Sequence, residues 1–487
     1  MHRIDQVYIN GAFCTTHGRE ELALINPTTE EPMGVLIMAD EEDAQKAVAS
    51  AKRAFSTYSR TSRKERIDLL NALSEAVRVR SSDLTEATII EYGGPVEQAR
   101  WRADLAANNF LSAAKLLDDF PFSRWINDAE VVAQAAGVAV HIVPWNSLYN
   151  SISVKMAGAL AAGCPVIIKP SEYSAWQNQL FTECLHAAGA PAGVINVVAG
   201  RGDVVGAALT THPDVRKISF TGSTPVGKSI MRAAADRMTR VTLELGGKAP
   251  TVIMEDADLE EAAAAALSIG FTNNGQACIA GTRILVHKSK VRDFCDSIKL
   301  SASKIVPGDP QKPQTTMGPL VNRKQFDRVQ GYIRRGVQEG ARIRIGGEGR
   351  PEGMHRGFFT KPTVFADVAN TMTIAREEIF GPVLCVITYE NDAEAIEIAN
   401  DTPFGLHAYV IGKNLDRARD IAAHIDAGRV AINAMIHEPL APFGGMKESG
   451  IGREYGTYGI EDHLELKAIM GRKCDHRPVR ASEIKAG

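Results

Sequence analysis

Gly275-Gln276-Ala277-Cys278-Ile279-Ala280-Gly281-Thr282-Arg283 sets one cysteine among small residues, with no second cysteine near enough for a metal site or redox pair. Thirty-four residues upstream, Glu244-Leu245-Gly246-Gly247-Lys248 places a lone glutamate at the end of an apolar run. A thiolate nucleophile needs access and nearby donors, and small neighbours let backbone and substrate approach it. A partly buried carboxylate across a cleft has a raised pKa and serves as a general base. The pair points to covalent catalysis followed by activation of water. Each residue also has an ordinary reading. Free cysteines are usually small buried hydrophobes, and Cys164, Cys295 and Cys385 are read that way. A glutamate on a strand end is usually solvated.

Around this pair, strands alternate with helices. Val138 to Val143, Pro165 to Lys169, Val194 to Val198, Lys217 to Phe220 and Val241 to Leu245 read as strands. Lys155 to Ala162, Trp176 to Ala188 and Pro225 to Ala235 read as the helices between them. The alternation implies an α/β fold with a parallel sheet covered on both faces. A second cycle begins at Thr251 to Met254, so Gly246-Gly247 is a candidate domain boundary. Toward the N-terminus, Val7 to Gly11 reads as a strand ending in an Asn-Gly turn. Ser62-Arg63-Lys64-Glu65 is a capping box before an amphipathic helix.

With 487 residues, 45% of them hydrophobic, the chain is too long for one simple core and suggests two or three domains. A net charge of −3 gives no reason to propose a nucleic-acid or anionic-membrane partner. The seven cysteines (Cys14, Cys164, Cys184, Cys278, Cys295, Cys385 and Cys474) include no C-x-x-C and are odd in number. That argues for a reducing compartment and against a disulfide framework or a metal site. The start of the sequence has no apolar signal region, and no apolar stretch is long enough to span a membrane. A cytoplasmic enzyme is expected.

Three further segments bear on ligands. Asn146, in Pro144-Trp145-Asn146, follows a strand; its amide can donate to an oxyanion beside the Cys278 backbone N–H, although asparagine there usually only makes a turn. Phe220-Thr221-Gly222-Ser223-Thr224-Pro225 reads as strand, glycine turn, capping hydroxyl and helix start, which presents N–H groups to a phosphate. Gly200-Arg201-Gly202-Asp203-Val204-Val205-Gly206 resembles a dinucleotide fingerprint, but its G-x-G-x-x-x-G spacing favours a plain turn. Lys169-Pro170-Ser171-Glu172 can bracket a ribose diol, though alone it reads as a surface turn.

In this order, and with Glu378-Ile379-Phe380-Gly381-Pro382 and Pro442-Phe443-Gly444-Gly445-Met446-Lys447, the segments resemble the NAD(P)-dependent aldehyde dehydrogenase superfamily from Asn26 to Glu465. The resemblance implies that Cys278 is the nucleophile, Glu244 the base for the hydrolytic water and Asn146 the oxyanion donor, with Lys155 and Glu454 in proton relay. It assigns Lys169, Ser171 and Glu172 to the adenosine ribose, and Gly222 and Ser223 to the pyrophosphate. Glu378 falls to the nicotinamide ribose, with Trp145, Leu245 and Phe380 beside the cofactor. It implies NAD, with NADP possible, since a carboxylate at Glu172 repels a 2′-phosphate. It also implies a Rossmann-type cofactor domain (1–115 and 137–246), an α/β catalytic domain (247–445) and a small β projection (116–136 and 459–487). That projection joins subunits into a homodimer or homotetramer.

The chain departs from common family patterns after Asn146, with Ser147-Leu148-Tyr149 where an aromatic and a proline are frequent, and Val154 where a large aromatic is frequent. If Ser147, Tyr149, Val154, Ile279, Met435, His437 and Phe443 line the substrate tunnel, it admits a bulky or ring-bearing aldehyde. Two rivals stand beside this reading: a CoA-acylating aldehyde dehydrogenase, which commonly lacks the Glu244 base, and a catalytically silent binding protein of the same fold.

Overall fold

Asn10 and Gly11, both with positive φ (58° and 83°), close the two-residue turn joining strands Gln6–Ile9 and Ala12–Thr15. The computed structural model describes residues 2–471; Cys474 and the remainder of the expected C-terminal segment lie outside the described residues. The Ser62 capping box forms as expected, with Glu65 accepting from the Ser62 N–H at 2.7 Å, and starts helix Arg63–Val79.

The first sheet has eight strands. Its centre is parallel: Arg240–Glu244, Val215–Thr221, Val138–Ile142, Val166–Lys169 and Ile195–Val197, in that spatial order. The expected parallel sheet holds through these strands, and antiparallel strands are added at its edges. Gln6–Ile9 pairs antiparallel with Ile195–Val197, and Gly450–Ile451 pairs antiparallel with Arg240–Glu244. Edge strands need no crossover helix, so returning segments can join in either direction.

The second sheet has seven strands. Thr363–Ala366, Val383–Tyr389, Arg283–His287, Pro250–Ile253, His407–Ile411 and Arg429–Ile432 are parallel, and Arg342–Ile345 is antiparallel. Apolar clusters fill both faces of each sheet; Phe110, Tyr149, Met156 and Phe181 belong to one beneath the first. A third, antiparallel sheet joins Leu464–Met470, Ala129–Ala135 and Ser123–Ile126.

One helix is longer than the sequence suggests. It runs from Leu148 to Ala162, not from Lys155, and this changes where its first-turn side chains point. Gly202–Gly206 forms a single wide helical turn, and Gly200 packs against the backbone of Ala39. Of the three glycines in the near-fingerprint only Gly200 is closely packed; a Cβ on Gly202 would meet open space.

Candidate active site

The chain order of the central parallel strands reverses between Val138–Ile142 and Val215–Thr221, because the strand after Val138–Ile142 lies on its other side. In open α/β sheets, ligands bind outside the carboxyl ends of strands at such a reversal. Trp145 and Asn146 follow one of these strands, and Gly222 and Ser223 follow the other. Lys169 and Glu244 end the neighbouring strands. The expected ligand residues therefore share one rim of the sheet.

Cys278 lies in the loop between the turn Thr272–Gly275 and strand Arg283–His287. Asn273, Asn274 and Gly275 all have positive φ (55°, 58° and 73°), a run that Asn and Gly tolerate best. Gly275 has no alternative: a Cβ there would sit 2.3 Å from the Gly381 carbonyl carbon. Cys278 is a free thiol with partial exposure, whereas Cys164, Cys184, Cys295 and Cys385 are buried. Burial, then the charges of Glu378 and Glu244, push its thiol up to about 12.

The Asn146 side chain is buried and donates through Nδ2 to the Gln276 carbonyl at 2.9 Å. A primary amide has two N–H donors, so one is left for a developing oxyanion. Glu244 is 3% exposed, and neither carboxylate oxygen has a partner among the described residues. It is not the solvated strand end that its sequence position suggests. Burial, then the nearby Glu454 charge, raises its pKa well above the usual carboxylate range. Lys155 and Glu454 meet as a buried pair, and Ser219 Oγ lies 2.9 Å from Lys155 Nζ and 3.1 Å from Glu454 Oε1.

The glycines after Glu244 bring these parts together. The Gly247 N–H donates to Glu378 Oε1 at 3.0 Å. A Cβ on Gly246 would fall 2.7 Å from Glu378 Oε2, and one on Gly247 would fall 2.4 Å from the Cys278 carbonyl oxygen. Ser449 fixes this crossing by donating to the Gly246 carbonyl at 2.6 Å.

The residues at the rim fit a dinucleotide. Ser223 takes the N-cap position of helix Thr224–Ala235, but its hydroxyl makes no capping bond, contrary to the capping role expected of it. The first-turn N–H groups have no intrahelical partners, as a bound phosphate requires. Leu245 packs against Gly227 of that helix, whose missing side chain permits the approach. Lys169 Nζ lies 3.3 Å from Glu172 Oε2, and burial lowers the lysine's pKa. Ser171 caps the short turn Glu172–Ser174. Trp145 and Phe380 meet edge to face at 5.4 Å, with Phe380 held at φ 62°.

The expected pocket residues divide. Tyr149 is corrected: its ring stacks on Phe181 at 5.4 Å and its hydroxyl donates to the Leu84 carbonyl, so it belongs to the core. Placing it one position into a helix turns it inward. Ser147 is half-buried and bonded to Ser151 Oγ at 2.9 Å, while Val154 is buried within the same helix. The Ile279 carbonyl accepts from Tyr409. His437 packs edge-on against both Trp101 and Tyr455, and Phe443 contacts Tyr455. Met435 is exposed on the same loop. Tyr92, Arg102 and Asn273, absent from the sequence reading, join Gln276 around the Asn146 carbonyl and the nucleophile loop. Only Asn273-Asn274-Gly275, a positive-φ triplet, offered a signal for them.

The aldehyde dehydrogenase family model matches residues 13–469. A Staphylococcus epidermidis protein classed by name with aldehyde dehydrogenases is 45% identical over 474 residues, covering 97% of this chain and 99% of the relative. Among solved structures, an aldehyde dehydrogenase C variant from Pseudomonas syringae, in complex with NAD+ and octanal, is 41% identical with a TM-score of 0.95. That match covers 98% of this chain and 100% of the other. The NAD+ complex of a Bacillus cereus aldehyde dehydrogenase is 37% identical with a TM-score of 0.93, covering 96% of each chain. With the match running almost end to end and the fold superimposing throughout, this chain belongs to the aldehyde dehydrogenase family.

Proposed function

We propose that this chain oxidises an aldehyde to its carboxylate with NAD, using Cys278 as nucleophile, Asn146 as oxyanion donor and Glu244 as base. The observation that carries this is the Gly246-Gly247 crossing. Just past the buried, unpartnered Glu244, Gly247 packs against the backbone of Cys278, a partly exposed free thiol.

The Cys278 sulfur loses its proton to solvent and attacks the carbonyl carbon, forming a C–S bond. The carbonyl electrons move to oxygen, which the free Asn146 N–H and the Cys278 backbone N–H stabilise. NAD, when bound, supplies the acceptor for the hydride that leaves that carbon. Glu244 then takes a proton from water as the water oxygen adds to the Cys278 thioester. The C–S bond breaks, freeing the carboxylic acid and a Cys278 thiolate that regains its proton from solvent. Lys155 and Glu454 carry the proton away from Glu244. Glu378, Trp145 and Phe380 hold one end of the dinucleotide, and Ser223 with Gly222 the pyrophosphate. Leu245 packs beneath the pyrophosphate helix. Lys169, Ser171 and Glu172 hold the adenosine ribose, and the Glu172 carboxylate favours NAD over NADP.

The substrate is an apolar, chain- or ring-bearing aldehyde. Trp101, Met435, Ile436 and Leu440 are exposed large apolar residues flanking the His437–Tyr455–Phe443 aromatic cluster. The presence of Glu244 favours water over CoA as acceptor. Residues 1–115 with 137–246 form the cofactor domain and 247–445 the catalytic domain. The three-stranded sheet joins subunits of a homo-oligomer, because its edge strand exposes Leu466, Ile469 and Met470. No helix among the described residues is long and apolar enough to cross a membrane, and the free cysteines suit the cytoplasm.

The test is NADH formation across aliphatic, aromatic and semialdehyde substrates, with NAD or NADP, with and without CoA. The expected result is faster turnover with NAD and an apolar aldehyde, a free acid product, and none with Cys278→Ser. No NADH with any aldehyde would overturn the reading and favour a silent binding protein.

A further inference from the structure

Arg102, on helix Val96–Leu117, is a buried cation whose hydrogen bonds go to neutral oxygens of the proposed reaction centre. One terminal nitrogen donates to the Asn146 carbonyl at 2.8 Å and the other to Asn273 Oδ1. Its guanidinium carbon lies 4.7 Å from the centroid of the Tyr92 ring. A buried charge without a carboxylate partner is costly, and a Met or Leu would fill the same space without that cost. The geometry gives a reason to keep it.

The fork bridges two segments far apart in the chain. By holding Asn273 Oδ1, it sets the Asn273 amide so that Nδ2 donates to both the Asn146 carbonyl (3.0 Å) and the Gln276 carbonyl (2.9 Å). The Tyr92 hydroxyl secures the same arrangement, bonding Asn273 Oδ1 at 2.7 Å and accepting from Gln276 Nε2 at 3.1 Å. Asn273 needs this support, because its φ of 55° is uncommon for a residue with a side chain. The amide of one left-handed asparagine thus ties the oxyanion donor to the loop carrying Cys278.

We infer that Arg102 is a positioning residue for the reaction. Acting through Asn273, its planar fork keeps the Asn146 amide and the Cys278 loop in register. The inference rests on the proposed roles of Asn146 and Cys278.

The experiment compares full-length wild type, Arg102→Met, Arg102→Lys, Tyr92→Phe, Asn146→Ala and the Arg102→Met/Asn146→Ala double variant. Thermal unfolding establishes that each is folded. Arg102→Met should lower kcat about 100-fold and leave KM for NAD within about threefold, as expected for misplacement of reacting groups. Arg102→Lys should stay within about threefold of Arg102→Met, because an ammonium keeps the charge but cannot bridge both oxygens as the fork does. If Arg102 acts through the oxyanion donor, adding Arg102→Met to Asn146→Ala should cost less than about threefold more. Should Arg102→Met fail to fold, Tyr92→Phe removes only a hydroxyl and should lower kcat about tenfold at unchanged KM for NAD. Folded Arg102→Met with wild-type kcat, full additivity in the double variant, recovery by Arg102→Lys, or an unaffected Tyr92→Phe would each overturn the inference. Wild-type turnover by Asn146→Ala is a separate outcome: it would sink the role of Asn146 and, with it, the route assigned to Arg102.

Discussion

Gly247→Ala puts the catalytic geometry under direct strain. The added Cβ would start 2.4 Å from the Cys278 carbonyl oxygen, against an ordinary contact distance of about 3.4 Å. The obstacle is backbone, so the Cys278 loop must yield by about 1 Å, and a shift of that size in reacting groups costs about 100-fold in rate. Overpacking should also destabilise the protein by about 1–3 kcal/mol, which leaves it folded at 25 °C. Gly246→Ala is the matched control. Its Cβ would meet the far end of the Glu378 side chain at 2.7 Å, which can swing aside. Steady-state kinetics should therefore show Gly247→Ala with a kcat loss of about 100-fold. Gly246→Ala should mainly raise KM for NAD. If folded Gly247→Ala keeps kcat within about threefold of wild type, the loop carrying Cys278 does not set the rate and the reasoning fails.

Lys155→Met should move the acid limb of the pH–rate profile to higher pH. The ammonium lowers the Glu244 pKa and the Glu454 carboxylate raises it, so losing the ammonium leaves Glu244 protonated over a wider range. An unmoved limb would detach Lys155 from the base; the broken buried pair should also cost about 3–5 kcal/mol in unfolding free energy. With the Cys278 thiol at about 12, iodoacetamide should alkylate the enzyme without NAD about tenfold faster per pH unit from pH 7 to 10. A plateau near pH 7 would show a thiolate already formed. Leu466→Arg with Met470→Arg should yield a monomer in analytical ultracentrifugation if the exposed edge strand joins subunits; an unchanged oligomer would move the interface elsewhere.

Local signals read true. Asn10-Gly11 made its turn, the Ser62 box capped its helix, and strand ends fell within a residue or two of where apolar runs stop. Residues just past those ends, such as Asn146 and Ser223, reach the rim because α/β topology puts them there. Tyr149 was misread because its helix starts at Leu148: in a loop the ring could face the substrate, but on the first turn it faces Phe181. The burial of Glu244 was equally hidden. It depends on Gly450–Ile451 folding back against its strand, a pairing between segments distant in the chain. Arg102 carried no signal in the sequence for the same reason, since its partners lie on other segments.

The central claim is that Glu244 serves the second half of the reaction and Cys278 the first. Rapid mixing of Glu244→Gln with NAD and a good aldehyde tests it most directly, because the amide keeps the shape but cannot take a proton. The account predicts a burst of about one NADH per active site at near wild-type rate, then turnover slowed about 10²- to 10⁴-fold. Steady, undiminished turnover, or loss of the burst itself in folded protein, would contradict it.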